Sequence, residues 1–186
     1  MASGNREIEI KLPLGDAPTA RRLLRRAGFR VVRRRVFEAN TVFDTADLDL
    51  RSSQRLLRVR EAGGVVTVTY KGPPAVGRHK SREELELEIS RASPMVAIFD
   101  RLGFRPTFRY EKYRTEYRKP GSAGVATVDE TPVGVFLELE GSPRWIDRTA
   151  RALGFGETDY ITASYGRLYL EWCERQGVQP GNMVLR

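Results

Sequence analysis

The sequence predicts an α+β fold, an eight-stranded antiparallel β-barrel with a charged lumen and helices packed on its outside. Three observations carry this. Strand-like runs repeatedly set ionisable residues on one face and aliphatic residues on the other. Eight such segments follow one another with no linker long enough to mark a boundary, and three helical segments each end in Gly-Phe. Side chains alternate across a strand with period two. Glu7-Ile8-Glu9-Ile10-Lys11 therefore places Glu7, Glu9 and Lys11 opposite Ile8, Ile10 and Leu12. A single segment of this kind reads as an edge strand with a solvated face; its recurrence does not.

Taken in order, the first strand breaks at Pro13-Leu14-Gly15-Asp16, and Asp16 is placed to cap a helix running to about Ala27. Gly28 is its expected left-handed terminator, before Phe29. A strand over Val36 to Phe43 leads into the turn Asp44-Thr45-Ala46-Asp47. A hairpin follows, Leu56–Glu61 and Val65–Lys71, joined through Ala62-Gly63-Gly64. Its first strand puts Arg58 and Arg60 on one face, and its second does so with Thr67, Thr69 and Lys71. After the loop from Gly72 to His79, the strand over 82–89 sets Arg82, Glu84, Glu86 and Glu88 against Leu85, Leu87 and Ile89.

The second half echoes the first. A helix from about Pro94 ends at Gly103-Phe104, and a poorly alternating strand over 108–118 carries Lys112 and Arg114. Strands near 123–129 and 134–141 flank Glu130-Thr131-Pro132, and the second of them sets Glu138 and Glu140 opposite Val135, Leu137 and Leu139. A helix from Pro143 to Leu153 again ends in Gly-Phe. In the last helix, about Ala163 to Arg175, Tyr165, Leu168, Tyr169 and Trp172 recur at helical spacing, which reads as core packing. The expected organisation is one domain over 1–176 and a flexible tail over 177–186.

Eight antiparallel strands can close into a barrel whose ionisable faces line the lumen while helices cover the aliphatic faces. Membrane barrels share that polarity. The helices, the lack of an apolar signal segment at the N-terminus and the lack of an apolar run of 18 residues argue instead for a cytoplasmic protein with no membrane partner. Cys173 is the only cysteine and His79, in a loop, the only histidine, which excludes an internal disulfide, a Cys/His zinc site and a histidine-based triad. Chemistry falls to carboxylates, Lys and Arg, and carboxylates favour hard ions such as Mg²⁺ or Mn²⁺.

The net charge of +8 calls for an anionic partner, a polyphosphate or a nucleic acid. Much of the excess lies in Arg21, Arg22, Arg25, Arg26, Arg30, Arg33, Arg34 and Arg35. The preferred reading of this cluster is a solvated helix face followed by a basic loop; contact with RNA phosphates is the other. Pooling the charged faces gives the bases Lys11, Arg58, Arg60, Lys71, Arg82, Lys112 and Arg114, and the acids Glu7, Glu9, Glu84, Glu86, Asp129, Glu138 and Glu140. Confining uncompensated charges costs several kcal/mol each, so these groups either pair with one another or meet a ligand. Arg and Lys clamp phosphate oxygens while carboxylates hold divalent ions that bridge to the same oxygens, and a triphosphate matches a tunnel lined from many strands.

The Glu-x-Glu-x-Lys stretch Glu7–Lys11 closely resembles the signature of the CYTH superfamily, the triphosphate tunnel metalloenzymes, which include class IV adenylate cyclases and thiamine triphosphatases. Further matches follow in family order: Phe43-Asp44-Thr45, Leu57-Arg58-Val59-Arg60, Tyr70-Lys71-Gly72-Pro73, Arg82-Glu83-Glu84-Leu85-Glu86, Lys112-Tyr113-Arg114, Asp129, Phe136–Glu140 and Ser164-Tyr165, covering about 5–172. The resemblance implies an eight-stranded tunnel that binds a triphosphate. In it, Lys11, Arg58, Arg60, Lys71, Arg82, Lys112 and Arg114 would hold phosphates, and Glu7, Glu9, Asp129, Glu138 and Glu140 would hold Mg²⁺ or Mn²⁺. It also implies catalytic roles for Lys11, Glu84 and Glu86, the two carboxylates ordering the bases or assisting water or metal binding. The chain departs from the family at Ala163, where members commonly carry Lys; either the phosphate clamp is one cation short or Arg167, one turn on, reaches in.

The expected activity is metal-dependent hydrolysis of the terminal phosphate of an organic or inorganic triphosphate. The alternatives are a class IV adenylate cyclase and a non-catalytic binder of polyphosphate or RNA. Either a monomer or a homodimer is compatible with the sequence.

Overall fold

The computed structural model describes residues 5–186. Its strands are β1 (Asn5–Leu14), β2 (Arg30–Asp44), β3 (Leu56–Ala62), β4 (Val65–Lys71), β5 (Lys80–Ile89), β6 (Arg105–Arg118), β7 (Val125–Thr131) and β8 (Gly134–Glu140). They close in the order β1-β5-β4-β3-β2-β6-β7-β8, every pair antiparallel, with β8 returning to β1. The helices are α1 (Ala17–Arg26), α2 (Asp49–Ser52), α3 (Ala92–Arg101), α4 (Pro143–Ala152) and α5 (Tyr165–Gln176). None of the described helices is long and apolar enough to cross a membrane.

The recurring Gly-Phe pairs have one physical cause. Gly28, Gly103 and Gly154 adopt φ of 85°, 87° and 92°. The following Phe29, Phe104 and Phe155 each donate N–H back to the carbonyls of Leu24, Phe99 and Ala150, at 2.9 Å in all three cases. This is the left-handed helix stop in which an apolar residue just past the glycine folds back on the last turn. At the other end of α1, Asp16 accepts from the Thr19 N–H at 2.6 Å, the capping bond its position predicts.

Two apolar cores lie outside the barrel. Ile10, Leu12, Ala126, Val128, Leu137 and Leu139, from β1, β7 and β8, pack under Ala20 and Leu24 of α1 and Ile146 and Ala150 of α4. Phe43, Val59 and Val66, from β2, β3 and β4, pack under Phe99 of α3. A third cluster joins Tyr165, Tyr169 and Cys173 of α5 to Tyr110 and Phe136. The aliphatic faces are thus buried from without, and the ionisable faces turn inward.

Three local expectations change. The arginine-rich stretch from Arg30 is strand, not loop, because β6 extends to Arg118 and offers it hydrogen-bond partners; bulges between Val31 and Val36 absorb the irregular register. Helix α2 is absent from the sequence reading; the Asp44 carboxylate secures it by accepting from the N–H groups of Thr45, Leu50 and Arg51 at 2.8–2.9 Å. The tail, expected to be loose, is docked: Met183 is 1 % exposed, donates to the Arg109 carbonyl at 3.0 Å and accepts from the Glu111 N–H at 2.8 Å. The reason is an open edge. Pairing of β6 with β7 begins only at Tyr113, so the preceding residues of β6 need another partner.

Gly124 tests the outer core. A β-carbon built there would lie 2.3 Å from the Trp145 ring. Gly124→Ala is expected to cost about 1–3 kcal/mol through overpacking, read as a lower thermal midpoint. An unchanged midpoint would show that the ring is not seated on this backbone.

Candidate active site

The inward faces enclose a cavity of about 1470 Å³. Of the site residues expected from sequence, Glu7, Glu9, Lys11, Arg58, Arg60, Lys71, Arg82, Glu84, Glu86, Lys112, Arg114, Glu138 and Glu140 all line it. Asp129 is fully buried behind this lining. Strand register explains the convergence. Lys11 lies opposite Glu138, and Glu9 lies opposite Glu140 on one side and Lys80 on the other. Lys71 lies opposite Glu84, and Arg114 opposite Asp129.

The charges compensate one another locally. Lys11 Nζ reaches Glu138 at 3.0 Å and Glu9 at 3.3 Å, while Lys80 Nζ donates to Glu9 at 2.8 Å. Burial alone would raise the Glu9 carboxyl, but Lys11 and Lys80 outweigh it and hold Glu9 well below the usual carboxylate range. Glu138, also buried, is held down at about 2 by Lys11 and Arg114. Lys71 Nζ donates to both Glu7 oxygens, at 2.6 and 2.5 Å, and lies 3.2 Å from Glu84. On the opposite wall, Arg58 donates to the Tyr110 hydroxyl and to Thr69 Oγ1, both at 3.1 Å, and Arg60 donates to Glu86 at 3.1 Å.

Asp129 is saturated with donors. It accepts from Lys112 Nζ at 2.7 Å, from two Arg114 nitrogens at 2.7 and 2.6 Å, and from the Tyr165 hydroxyl at 2.6 Å. Burial would raise its carboxyl; Arg114 and Lys112 drive it well below the ordinary range instead. Arg114 also donates to Glu138. Among the described residues, Nε of Arg58 and both amide atoms of Asn40 have no hydrogen-bond partner, and Nε of Arg82 and Oε2 of Glu38 have only ion-pair contacts at 3.7 Å, to Glu7 and Lys112. Unpaired buried donors are costly, and the two arginine nitrogens belong to residues that line the cavity.

Negative charge is in excess at one place. The lumen walls strip water from Glu140 and the neighbouring carboxylates Glu7, Glu84 and Glu9 repel it, pushing its carboxyl up to about 7 although part of the residue is exposed. Glu7 is raised as well, by burial and by Glu9. Carboxylate oxygens crowded in this way suit a hard divalent cation. Among the described residues no three His, Cys, Asp or Glu groups already converge at ligating distance, and Glu7 and Glu9 are engaged by Lys71 and Lys80 instead.

Among the residues lining this cavity that sequence reasoning did not assign to it are Glu38, Lys80, Tyr110 and Tyr165. Lys80 was legible, because period two extends the run Arg82, Glu84, Glu86 back by one step. Its ammonium falls to about 8, burial outweighing the attraction of Glu9. Glu38 gave no period-two pattern, because its neighbours on the same face of β2, Val36 and Asn40, are uncharged. Tyr165, expected in a core, serves both roles: its ring packs against Phe136 and its hydroxyl binds Asp129. Its ring also lies 5.1 Å from Lys11 Nζ and 4.9 Å from Lys112 Nζ. Ala163 lines the cavity as a small residue, and Arg167 nearby is exposed and donates to Glu171 at 2.7 Å. His79 contacts Asp147 at 2.7 Å, outside the tunnel lining.

The CYTH domain model matches residues 5–165. The Methanocaldococcus jannaschii protein named "Putative adenylate cyclase MJ0240" is 35% identical over 137 residues, 73% of this chain and 77% of that protein. Among solved structures, a Vibrio parahaemolyticus protein described as a putative adenylate cyclase superposes with a TM-score of 0.76 at 18% identity, covering 89% of this chain and 98% of that one. HpAC1 from Hippeastrum, described as a putative adenylyl cyclase with a dominant triphosphatase activity, superposes with a TM-score of 0.64 at 22% identity, covering 94% and 97%.

Two predictions follow from the charge pairing. Removing the Asp129 carboxylate takes from Lys112 and Arg114 the acid they share, so Asp129→Ala is expected to cost about 3–5 kcal/mol in denaturant unfolding; a loss under about 1 kcal/mol would contradict the pairing. The second concerns Glu140, whose folded pKa is raised. Between the ordinary carboxylate range and about 7 the folded chain keeps a proton that the unfolded chain has released. Stability without metal therefore falls as pH rises through that window. Glu140→Gln in EDTA is expected to melt higher than the parent at about pH 8 and equally at about pH 4. Parallel pH profiles for the two proteins would refute this.

Proposed function

The chain belongs to the CYTH domain family, and from that premise we propose that it is a divalent-metal-dependent triphosphatase, removing the terminal phosphate of an organic or inorganic triphosphate. The observation that supports this most is the single cavity in which cations from β1, β3, β4, β5 and β6 face carboxylates from β1, β5 and β8. A triphosphate carries several negative charges in a row. Arg58, Arg60, Lys71, Arg82, Lys112 and Arg114 offer it charge-assisted hydrogen bonds along the tunnel, and Nε of Arg58, without a hydrogen-bond partner among the described residues, is a donor for such an acceptor.

Glu7, Glu9, Glu138 and Glu140 would hold Mg²⁺ or Mn²⁺, which when bound neutralises phosphate charge and acidifies water. Binding then works as an exchange of partners. Lys71, now bonded to Glu7, and Lys80, now bonded to Glu9, would turn to phosphate oxygens, leaving both carboxylates among the residues that would hold the cation and no buried charge uncompensated. In hydrolysis, water oxygen bonds to the terminal phosphorus while the bond to the bridging oxygen breaks, the electron pair stays on that oxygen, and the proton lost by the water passes to the phosphate oxygens or to solvent. Lys11 and the arginines stabilise the charge as it shifts. Glu84 and Glu86 keep Lys71 and Arg60 in position. Asp129, first read as a metal ligand, is assigned here to orienting Arg114, Lys112 and Tyr165, because its oxygens are already taken by these donors.

A second reading, conversion of ATP to cyclic AMP and pyrophosphate, is favoured by the name of the M. jannaschii relative. There the ribose 3′-hydroxyl would attack the α-phosphate. That HpAC1, of the same fold, is described with both names keeps the two chemistries side by side.

Purified protein would be incubated with tripolyphosphate, thiamine triphosphate or ATP under Mg²⁺ or Mn²⁺, with EDTA controls and all products resolved. Metal-dependent phosphate release is expected. Glu9→Gln should reduce it about 100-fold or more, the loss of several kcal/mol of charge stabilisation. Cyclic AMP with pyrophosphate would establish the second reading instead, and no turnover of any of the three would overturn both.

A further inference from the structure

A second cavity, of about 550 Å³, opens on the outside of the barrel between the end of α1 and the start of β2. It is lined by Arg21, Arg25, Gly28, Phe29, Arg30, Val31 and Tyr117, none of which lines the tunnel. Period two explains the separation: Glu116 and Arg118 face the tunnel, so Tyr117 between them faces out. We propose that this cavity is a second phosphate-binding site whose ligand is a small inorganic anion, orthophosphate or pyrophosphate.

The arginines here are unspent. Nearby Arg22 and Arg35 are engaged by Thr19 and Glu130, whereas the side chains of Arg21, Arg25 and Arg30 have no hydrogen bond or ion pair among the described residues. Arg21 and Arg25 are one turn apart on α1, where like charges repel. The negative end of the helix offsets that repulsion only in the last turn, at Arg25 and Arg26. Arg30, the first residue of β2, borders the same cavity.

The second observation is Tyr117. It is 1 % exposed, and its hydroxyl has no hydrogen-bond partner. Burial raises its pKa while the Arg21 charge opposes that rise, so the arginine field reaches this hydroxyl. A phosphate anion would satisfy all these groups together: guanidinium forks match its oxygens in pairs, and Tyr117 would donate to another. Single-stranded nucleic acid is the poorer fit, because base stacking needs open aromatic faces and both aromatic residues of this wall, Phe29 and Tyr117, are buried.

The site is tested independently of any tunnel reaction by following backbone amide resonances of the full chain in EDTA at constant ionic strength, titrated separately with orthophosphate and pyrophosphate. Saturable shifts centred on Gly28, Arg30 and Val31 are expected with at least one of them. Arg21→Ala with Arg25→Ala, both exposed positions, should weaken that response at least tenfold while shifts at Glu9 and Lys11 stay as in the parent. Tyr117→Phe should weaken it by a smaller factor. The proposal fails if those amides do not saturate with either anion, or if the double variant responds with unchanged affinity. It also fails if a short single-stranded RNA saturates them at lower concentration than either anion.

Discussion

Charge compensation inside a closed barrel is the constraint on which the rest of this structure depends. Moving an ion from water into a protein interior costs several kcal/mol unless a partner accompanies it. Here Lys11, Lys71, Lys112, Asp129 and Glu138 are all buried, and each has an oppositely charged partner placed by strand register. A slip of one residue in any strand would turn these groups into the outer apolar cores and bring the aliphatic residues inside. Electrostatics in the lumen and hydrophobic burial outside therefore specify the same register.

That agreement separates stability from chemistry. The apolar energy of folding is gained on the outer face, where α1 and α4 cover β1, β7 and β8 and α3 covers β2, β3 and β4. Because little of the core depends on the lumen, its lining is free to be polar. Under the proposed function its ion pairs are provisional partners, which a bound anion with a divalent cation would take over. A lumen of unpaired cations would attract phosphate more strongly, but the folded chain would bear several kcal/mol for each unpaired ion.

The same logic decides what could be read from sequence. Barrel, charge segregation and helix stops were legible because they are local or periodic: Glu7, Glu9 and Lys11 share a face by period two, and Gly28, Gly103 and Gly154 mark helix ends by their conformation. Lys80 belonged to the same period and was passed over because the preceding loop obscured where β5 begins. Partner choice was not legible. Nothing near Asp129 in sequence shows that Lys112, Arg114 and Tyr165 would saturate it, since those contacts join β6, β7 and α5. Nor does anything local show that Arg30 lies in a strand, because its partner, Arg118, is fixed by the length of β6. The face a residue takes within its own strand is read well from one sequence; the partner that another strand or helix brings to it is not.

Tyr165 shows how the outer shell acts on the lumen. It stands at the first position of α5, fixed there by the Ser164 cap, whose hydroxyl accepts from the Arg167 N–H at 3.2 Å. From that point its hydroxyl binds Asp129 while its ring faces both Lys11 and Lys112. One helix terminus thus touches the acid that orders Arg114 and two of the cations assigned to phosphate. The rest of α5 is held from behind, since Tyr169 packs with Tyr110 and Met183 and its hydroxyl donates to the Asn182 carbonyl at 3.3 Å. The docked tail, the last helix and the inner charge network therefore form one mechanical unit. The C-terminal residues, far from the tunnel in sequence, help set the geometry of its phosphate-facing cations.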